Sequence, residues 1–269
     1  MSSISRFTDF RALAFAAISV ATLTGSALAA DLPAAAPPPM KAYVPVPVFS
    51  WTGCYVGGNV GGGWQDNHAY DPLLGLYAGS DTSTGVVGGG QVGCDWQSGP
   101  VVFGFQGMFD GTSLSGNHLN PIAPTGTEVM QTDTRWFATQ TARIGFTATP
   151  QTLFYVKGGA AEASFRYSDN DPTTFTNAFY GSPYTGSGSA TRFGWTVGAG
   201  IEYAFTPNWS VFGEYNYMGF GNSGTTLNYA APNPANAGPY NYNMTNNLQT
   251  FLVGVNYRFG FGGPVVARY

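Results

Sequence analysis

The chain has 269 residues, room for one or two ordinary domains. Only 9% of its residues are charged, while aromatics reach 16% and glycines number 38, a ring content too high for a disordered chain. Its net charge of −4, with no cluster of Lys or Arg, excludes a nucleic-acid partner, which would ask for a basic stripe.

The first segment reads as an export signal. Arg6 and Arg11 carry positive charge, Leu13 to Leu23 is an apolar stretch too short to span a membrane, and Ala27-Leu28-Ala29 fits an A-x-A cleavage site. Residues 1–29 are therefore expected to be a signal peptide. Residues 30–48 are rich in Pro and Ala and are expected to form an extended periplasmic tail.

From Phe49 the pattern changes to segments of alternating polarity. No later window approaches the length of a membrane helix, and a mean hydropathy of −0.04 is what a membrane β-barrel gives, because only alternate residues meet lipid. Strand one is expected near 50–65, with Cys54, Val56, Val60 and Trp64 on one face. Strand two, near 85–97, aligns Val86, Val92, Cys94 and Trp96. A turn at 97–100 leads to strand three, with Val101, Phe103, Phe105, Gly107 and Phe109 aligned. Strand four, near 134–147, aligns Trp136, Ala138, Ala142, Ile144 and Phe146, and a turn at 149–151 leads into strand five, 152–165. In strand five Glu162 falls on the lipid parity unless a bulge or strand end intervenes. Strand six, near 190–205, aligns Phe193, Trp195, Val197, Ala199, Ile201 and Tyr203. A turn at 206–208 precedes strand seven, 209–220, with Val211, Tyr215 and Tyr217 aligned. The last strand, 248–259, aligns Phe251, Val253, Val255, Tyr257 and Phe259.

Short turns alternate with long polar stretches at 66–84, 111–133, 168–189 and 221–247. That alternation is how outer-membrane barrels are built, with the long loops outside. The expected fold is all-β: a membrane-spanning antiparallel up-and-down barrel of about eight strands over 49–259, followed by an extension at 260–269. Trp51, Trp96, Trp209, Tyr257 and Phe259 fall near the turn-side ends and Trp64, Phe109 and Trp136 near the loop-side ends, as two aromatic girdles would.

The face opposite the apolar one carries Asp95, Gln106, Asp110, Arg143, Lys157, Arg192, Glu202, Glu214, Asn216 and Arg258. In a barrel this small that face is the lumen, and side chains fill it. Arg143, Lys157, Glu202, Glu214 and Arg258 are expected to form a charge network there. An index sum of 416 around the 206–208 turn makes Glu202 and Glu214 cross-strand neighbours. They could act as an acid/base pair, but neutralisation by Arg143, Lys157 and Arg258 is favoured, because the lumen has little room for a substrate. Cys54 and Cys94 sum to 148, which places them opposite one another in the first hairpin, on one face, within reach of a disulfide suited to an oxidising compartment. The same register pairs Trp64 with Thr84.

Catalytic, cofactor and metal residues are not expected. The two histidines, His68 and His118, fall in stretches read as loops, with no serine on a shared face. The glycine runs 61–63 and 88–90 lack the Lys-Ser/Thr ending of a phosphate loop and fit close strand packing instead.

WTGCYVGGNVGGGW (51–64), VGGGQVGCDWQ (87–97), TARIGF (141–146), LFYVKGGAA (153–161) and FLVGVNYRF (251–259) resemble the small outer-membrane β-barrel proteins of alphaproteobacteria, the opacity-like or porin-superfamily group. The resemblance implies residence in the cell outer membrane, amid its lipid and lipopolysaccharide. It also implies that Gly254, Tyr257 and Phe259 form the ending read by the barrel-assembly machinery, although Leu252 stands where a polar residue is usual. Three functions stay open: a structural protein of the envelope, a narrow channel for small solutes, and a recognition surface. The last would use the long loops, with Tyr70, Tyr77, Tyr180, Tyr184, Tyr240 and Tyr242 as contacts. Peptidoglycan, through the tail, and a host surface, through the loops, are the further partners these readings imply.

Overall fold

In the computed structural model, residues 49–121, 126–172, 184–230 and 239–259 are described. The signal, the tail, the C-terminal extension and Tyr180 lie outside the described residues. Eight strands form, in chain order β1 (Gly53–Asp71), β2 (Leu76–Ser98), β3 (Val101–Leu119), β4 (Val129–Thr149), β5 (Thr152–Asp171), β6 (Tyr184–Ala204), β7 (Trp209–Ala230) and β8 (Pro239–Phe259). Each pairs antiparallel with its neighbour in sequence, and β1 pairs with β8, so the sheet closes into a barrel.

The alternation read from sequence holds strand by strand. Val56, Val92, Phe105, Ile144, Phe193, Ile201, Val211 and Val253 are exposed outward, while Gln91, Gln106, Arg143, Lys157, Glu202, Glu214 and Thr250 are buried within. The three short turns also fall where expected, at residues 99–100, 150–151 and 205–208. Gly99 turns the first with a φ of 57°, a left-handed conformation that a side chain would strain.

The strands are longer than the sequence suggested. They run 19 to 23 residues, and a tilted crossing needs about 9–11. The expected loop at 66–84 shrinks to residues 72–75, because β1 and β2 stay paired up to Asp71 and Leu76. The outward face explains the misreading. Above Trp64, Phe109, Trp136 and Phe251 it changes from apolar to polar residues such as Asp66, Ser115, Asp133, Arg166 and Gln249. Once the barrel leaves hydrocarbon, the apolar half of the alternation disappears, but the backbone ladder continues. His68 and Tyr70 therefore stand on β1, Tyr77 on β2, His118 on β3, Tyr184 on β6, and Tyr240 and Tyr242 on β8, not on loops. Tyr242 points into the barrel.

The glycine runs face one another across β1 and β2, Gly58 opposite Gly90 and Gly63 opposite Gly85. A Cβ on Gly61 would run into the carbonyl oxygen of Phe251, and one on Gly89 into that of Phe109. Close strand approach is their role. Glu162 keeps the outward parity, opposite Ala138 and Phe193, at the height of the outer aromatics rather than mid-membrane.

Candidate functional site

The lumen is filled in four tiers from the periplasmic end upward. The lowest is apolar: Trp51, Val102, Leu153, Tyr155 and Ala204 pack together inside the turn-side mouth. Trp51 was expected in a girdle, but it is 0% exposed. It precedes the first strand residue, so the chain folds under the barrel. Its indole N–H donates to the Pro150 carbonyl at 3.2 Å, and its backbone N–H to Gln97 Oε1 at 2.8 Å. Of the other expected girdle residues, Trp64, Trp96, Phe109, Trp209 and Phe259 are exposed on the outer face.

The second tier is ionic. Arg143, on β4, forks onto both oxygens of Asp95, with Nε donating to Oδ1 at 2.7 Å and Nη2 to Oδ2. Its Nη1 reaches Glu202 Oε2 at 3.1 Å. Arg258, on β8, adds an ion pair to Asp95 at 2.9 Å and a looser one to Glu202 at 3.7 Å. It also donates to the Trp51 carbonyl at 2.6 Å, tying this tier to the plug below. Glu202 accepts further bonds from Ser210 Oγ at 2.6 Å and Asn256 Nδ2 at 2.9 Å. Lys157 pairs with Glu214 at 2.6 Å and donates to Gln106 Oε1 at 2.8 Å. Tyr155 and Asn216 also donate to Glu214, at 2.8 and 2.9 Å. The Tyr55 ring lies 4.9 Å from the Arg143 guanidinium and 5.0 Å from that of Arg258, within cation–π range of both.

All five residues expected in the network are thus brought together. The predicted contact between the two glutamates is not. The β6–β7 register sums to 414, so Glu202 faces Phe212 and Glu214 faces Gly200. The turn includes Phe205 as well as 206–208 and so moves the pairing by two residues. Each carboxylate consequently sits with its own cation. Asp95, Tyr55 and Tyr155 complete the tier. Asp95 had been placed on the lumen face but not in the network. The tyrosines could have been found by parity alone, since they alternate with the outward apolar residues of their strands.

Above lies an apolar tier containing Val87, Met108, Leu114, Phe137, Phe165, Met218, Leu248 and Leu252. Leu252, the departure from the usual assembly ending, is 0% exposed here, so its apolar character serves the core. The top tier is a chain of amides and hydroxyls that ends on the Asp81 carboxylate. Thr134 donates to Gln65, Gln65 to Asn67, and Asn67 to Asp81 and Ser83 at 2.9 Å each. Tyr167 donates to Asn246 at 2.8 Å, and Asn246 to Asn67 at 2.6 Å. His118 faces Asp81 Oδ1 at 3.2 Å through Nδ1 and the Ala78 carbonyl at 3.3 Å through Nε2. Both ring nitrogens thus meet acceptors, and Ser83 bonds to Asp81 rather than to the ring.

On the outer face, Cys54 and Cys94 stand directly opposite in register and are joined by a disulfide. The 148 register also pairs Trp64 with Thr84 and holds as far as Ala69 and Gly79 before shifting. Tyr257 and Phe259 face outward with Trp209, their rings in edge contact at 5.1 Å.

A family model described as outer membrane protein beta-barrel domain matches residues 15–259. A 31 kDa outer-membrane immunogenic protein of Brucella melitensis is 32% identical over 87% of this chain and 94% of its own length. A 25 kDa outer-membrane immunogenic protein of the same organism is 27% identical over 82% and 86%. Among solved structures, OprG of Pseudomonas aeruginosa overlays with a TM-score of 0.45 at 12% identity, covering 80% of this chain and 99% of its own. The attachment invasion locus protein Ail of Yersinia pestis overlays with a TM-score of 0.37 at 15% identity, over 77% and 99%. An eight-stranded closed barrel matched along most of its length leaves one assignment: the chain belongs to the outer membrane protein beta-barrel domain family and resides in the outer membrane.

Proposed function

We propose that the chain is a structural, non-conducting protein of the outer membrane, which supports the envelope and presents a rigid β-sheet surface outside it. The observation that carries this reading is the filled lumen. A permeating solute would have to displace a buried plug, a self-neutralising ion-pair tier and an apolar tier in succession. The same filling favours a non-enzymatic role. Glu202 and Glu214 are each engaged by a cation and by neutral donors, so neither is free to shuttle a proton, and the Asp81–His118 pair offers no nitrogen to a serine.

A surface role rests on the strand extensions. They place polar side chains on a hydrogen-bonded scaffold above the outer aromatics, a stiffer platform than loops would give. The relatives named as outer-membrane immunogenic proteins fit a surface that other molecules meet. For assembly, Gly254, Tyr257 and Phe259 on the closing strand are the residues offered to the barrel-assembly machinery.

The test is single-channel recording of the refolded chain in a planar bilayer, with folding shown by heat-modifiable gel migration. A silent bilayer is expected. Uniform conductance steps that scale with salt would replace this reading with a channel lined by Arg143, Lys157, Glu202 and Glu214.

A further inference from the structure

The described residues include six Lys and Arg side chains. Arg143, Lys157, Arg192 and Arg258 point into the barrel and are hydrogen-bonded there. Arg135 and Arg166 are the other two. Both face outward, and neither forms an ion pair or side-chain hydrogen bond among the described residues. They line the same groove, about 720 Å³ in volume, with Ser187, Ser189, Thr226 and Asn228.

Two irregularities in the ladder build this groove. Arg135 occupies a bulge in β4, between the pairs Thr134–Phe165 and Trp136–Ser164. A bulge re-aims the extra side chain. Between β6 and β7, pairing stops after Ser187–Asn228 and resumes only at Trp195–Gly219. Arg192 bridges that interval from within, donating to the carbonyls of Ser223 at 2.9 Å and Met244 at 2.6 Å. The wall is thereby closed on the inside and hollowed on the outside. Arg166 lies directly across from Ser189, which joins the bulge to the hollow.

The height of the groove selects its ligand. Trp136 adjoins Arg135 in sequence, and Phe193 and Trp195 lie just below on β6, so the arginines stand immediately above the outer aromatic girdle. That is the depth of lipid headgroups. Guanidinium forks match phosphate oxygens, and neighbouring hydroxyls match sugar hydroxyls. Below, the outward face of β4 and β5 carries the small residues Ala142, Gly158 and Ala160. Two carboxylates share the region. Asp133 lies across from Arg166 and accepts a bond from Gln131 at 2.9 Å, while Glu162 is four residues below Arg166.

We propose that this groove binds a phosphorylated glycolipid of the outer leaflet, of the lipid A class. Arg135 and Arg166 take its phosphate and Ser187 and Ser189 its sugar, while its acyl chains run down the lipid-facing wall below. The proposal rests on residence in the outer membrane and not on whether the lumen conducts.

The test is native mass spectrometry of the refolded full chain, released from micelles doped with bisphosphorylated lipid A or with the same lipid stripped of phosphate. The chain is expected to retain the phosphorylated form about tenfold better or more, the factor that loss of a charge-assisted hydrogen bond carries. Arg135→Gln with Arg166→Gln should abolish that preference, while both changed to Lys should keep part of it. Asp133→Asn, which removes the carboxylate beside Arg166, should raise retention. Heat-modifiable migration checks that each variant is folded. Equal retention of both lipids, or an unchanged preference in the double glutamine variant, would overturn the proposal. Displacement of the lipid by glucosamine phosphate in solution would also count against it, since the ligand would then be soluble. So would loss of a dimer instead of a lipid adduct, because the groove would then be an interface between copies.

Discussion

The lower and upper halves of the lumen are closed by different chemistry. Toward the periplasm, Asp95, Glu202 and Glu214 are matched by Arg143, Arg258 and Lys157, each carboxylate with at least one cation in contact. Toward the outside, amides and hydroxyls carry most of the bonding, and Arg192 donates to carbonyl oxygens and Thr225 rather than to carboxylates. The lower half lies at the depth of the hydrocarbon, with an apolar plug beneath it and an apolar tier above. Charges there have no water to fall back on and must be paired on site. The upper half stands above the outer girdle, where amides and hydroxyls carry the load and the few charges, Asp81 and Arg192, are held mainly by neutral partners.

This contrast makes the lower half brittle. Arg143→Met would leave the Asp95–Glu202 pocket with Arg258 as its only cation, and unfolding of the barrel in lipid vesicles should show a loss of about 3–5 kcal/mol. Because these pairs are almost wholly buried, the midpoint should barely change between low and high salt. A strong salt dependence would mean that water reaches the tier and that the lumen is not sealed.

Next in size is the disulfide, which fastens β1 to β2 at the turn-side rim. Cys54→Ala with Cys94→Ala should cost about 2–4 kcal/mol, by freeing the unfolded chain. Intact mass before and after reduction and alkylation of the purified protein checks the bond directly. In the upper half, Asn67→Leu removes a residue that links Gln65, Asp81, Ser83 and Asn246. A loss of about 1–3 kcal/mol is expected, since several buried polar groups lose one partner each while the Asp81 carboxylate keeps Ser83 and His118.

What the sequence could show followed from hydrocarbon. Inside the membrane band a period of two is enforced by lipid on one side and the lumen on the other, so strand faces, short turns and the lower charge tier were all legible. Above the band, polar residues occupy both faces, and stretches such as 66–71 and 111–119 read as loops although they continue the ladder. The amide network of Gln65, Asn67 and Asn246 was hidden for the same reason. Register across the first hairpin could be read because the cysteines marked it. Across the 205–208 turn nothing marked it, and the two glutamates were placed two residues out of step. Trp51 was misplaced because it precedes the first strand residue, where alternation no longer constrains direction.

The smallest effect tests where the two halves meet. Asp110, on β3, is fully buried, yet it forms no ion pair among the described residues. It lies on the inward face between Met108 of the apolar tier and Thr112. If the ionic tier ends below it, Asp110→Asn removes a buried charge while keeping the shape of the side chain, and stability should stay level or rise by up to about 1 kcal/mol. The measurement is the unfolding midpoint of this variant beside that of Arg143→Met under the same conditions. A loss approaching that of Arg143→Met would make Asp110 a working counter-charge to Lys157. The boundary between ionic and neutral closure would then lie higher in the barrel, inside what is now the apolar tier.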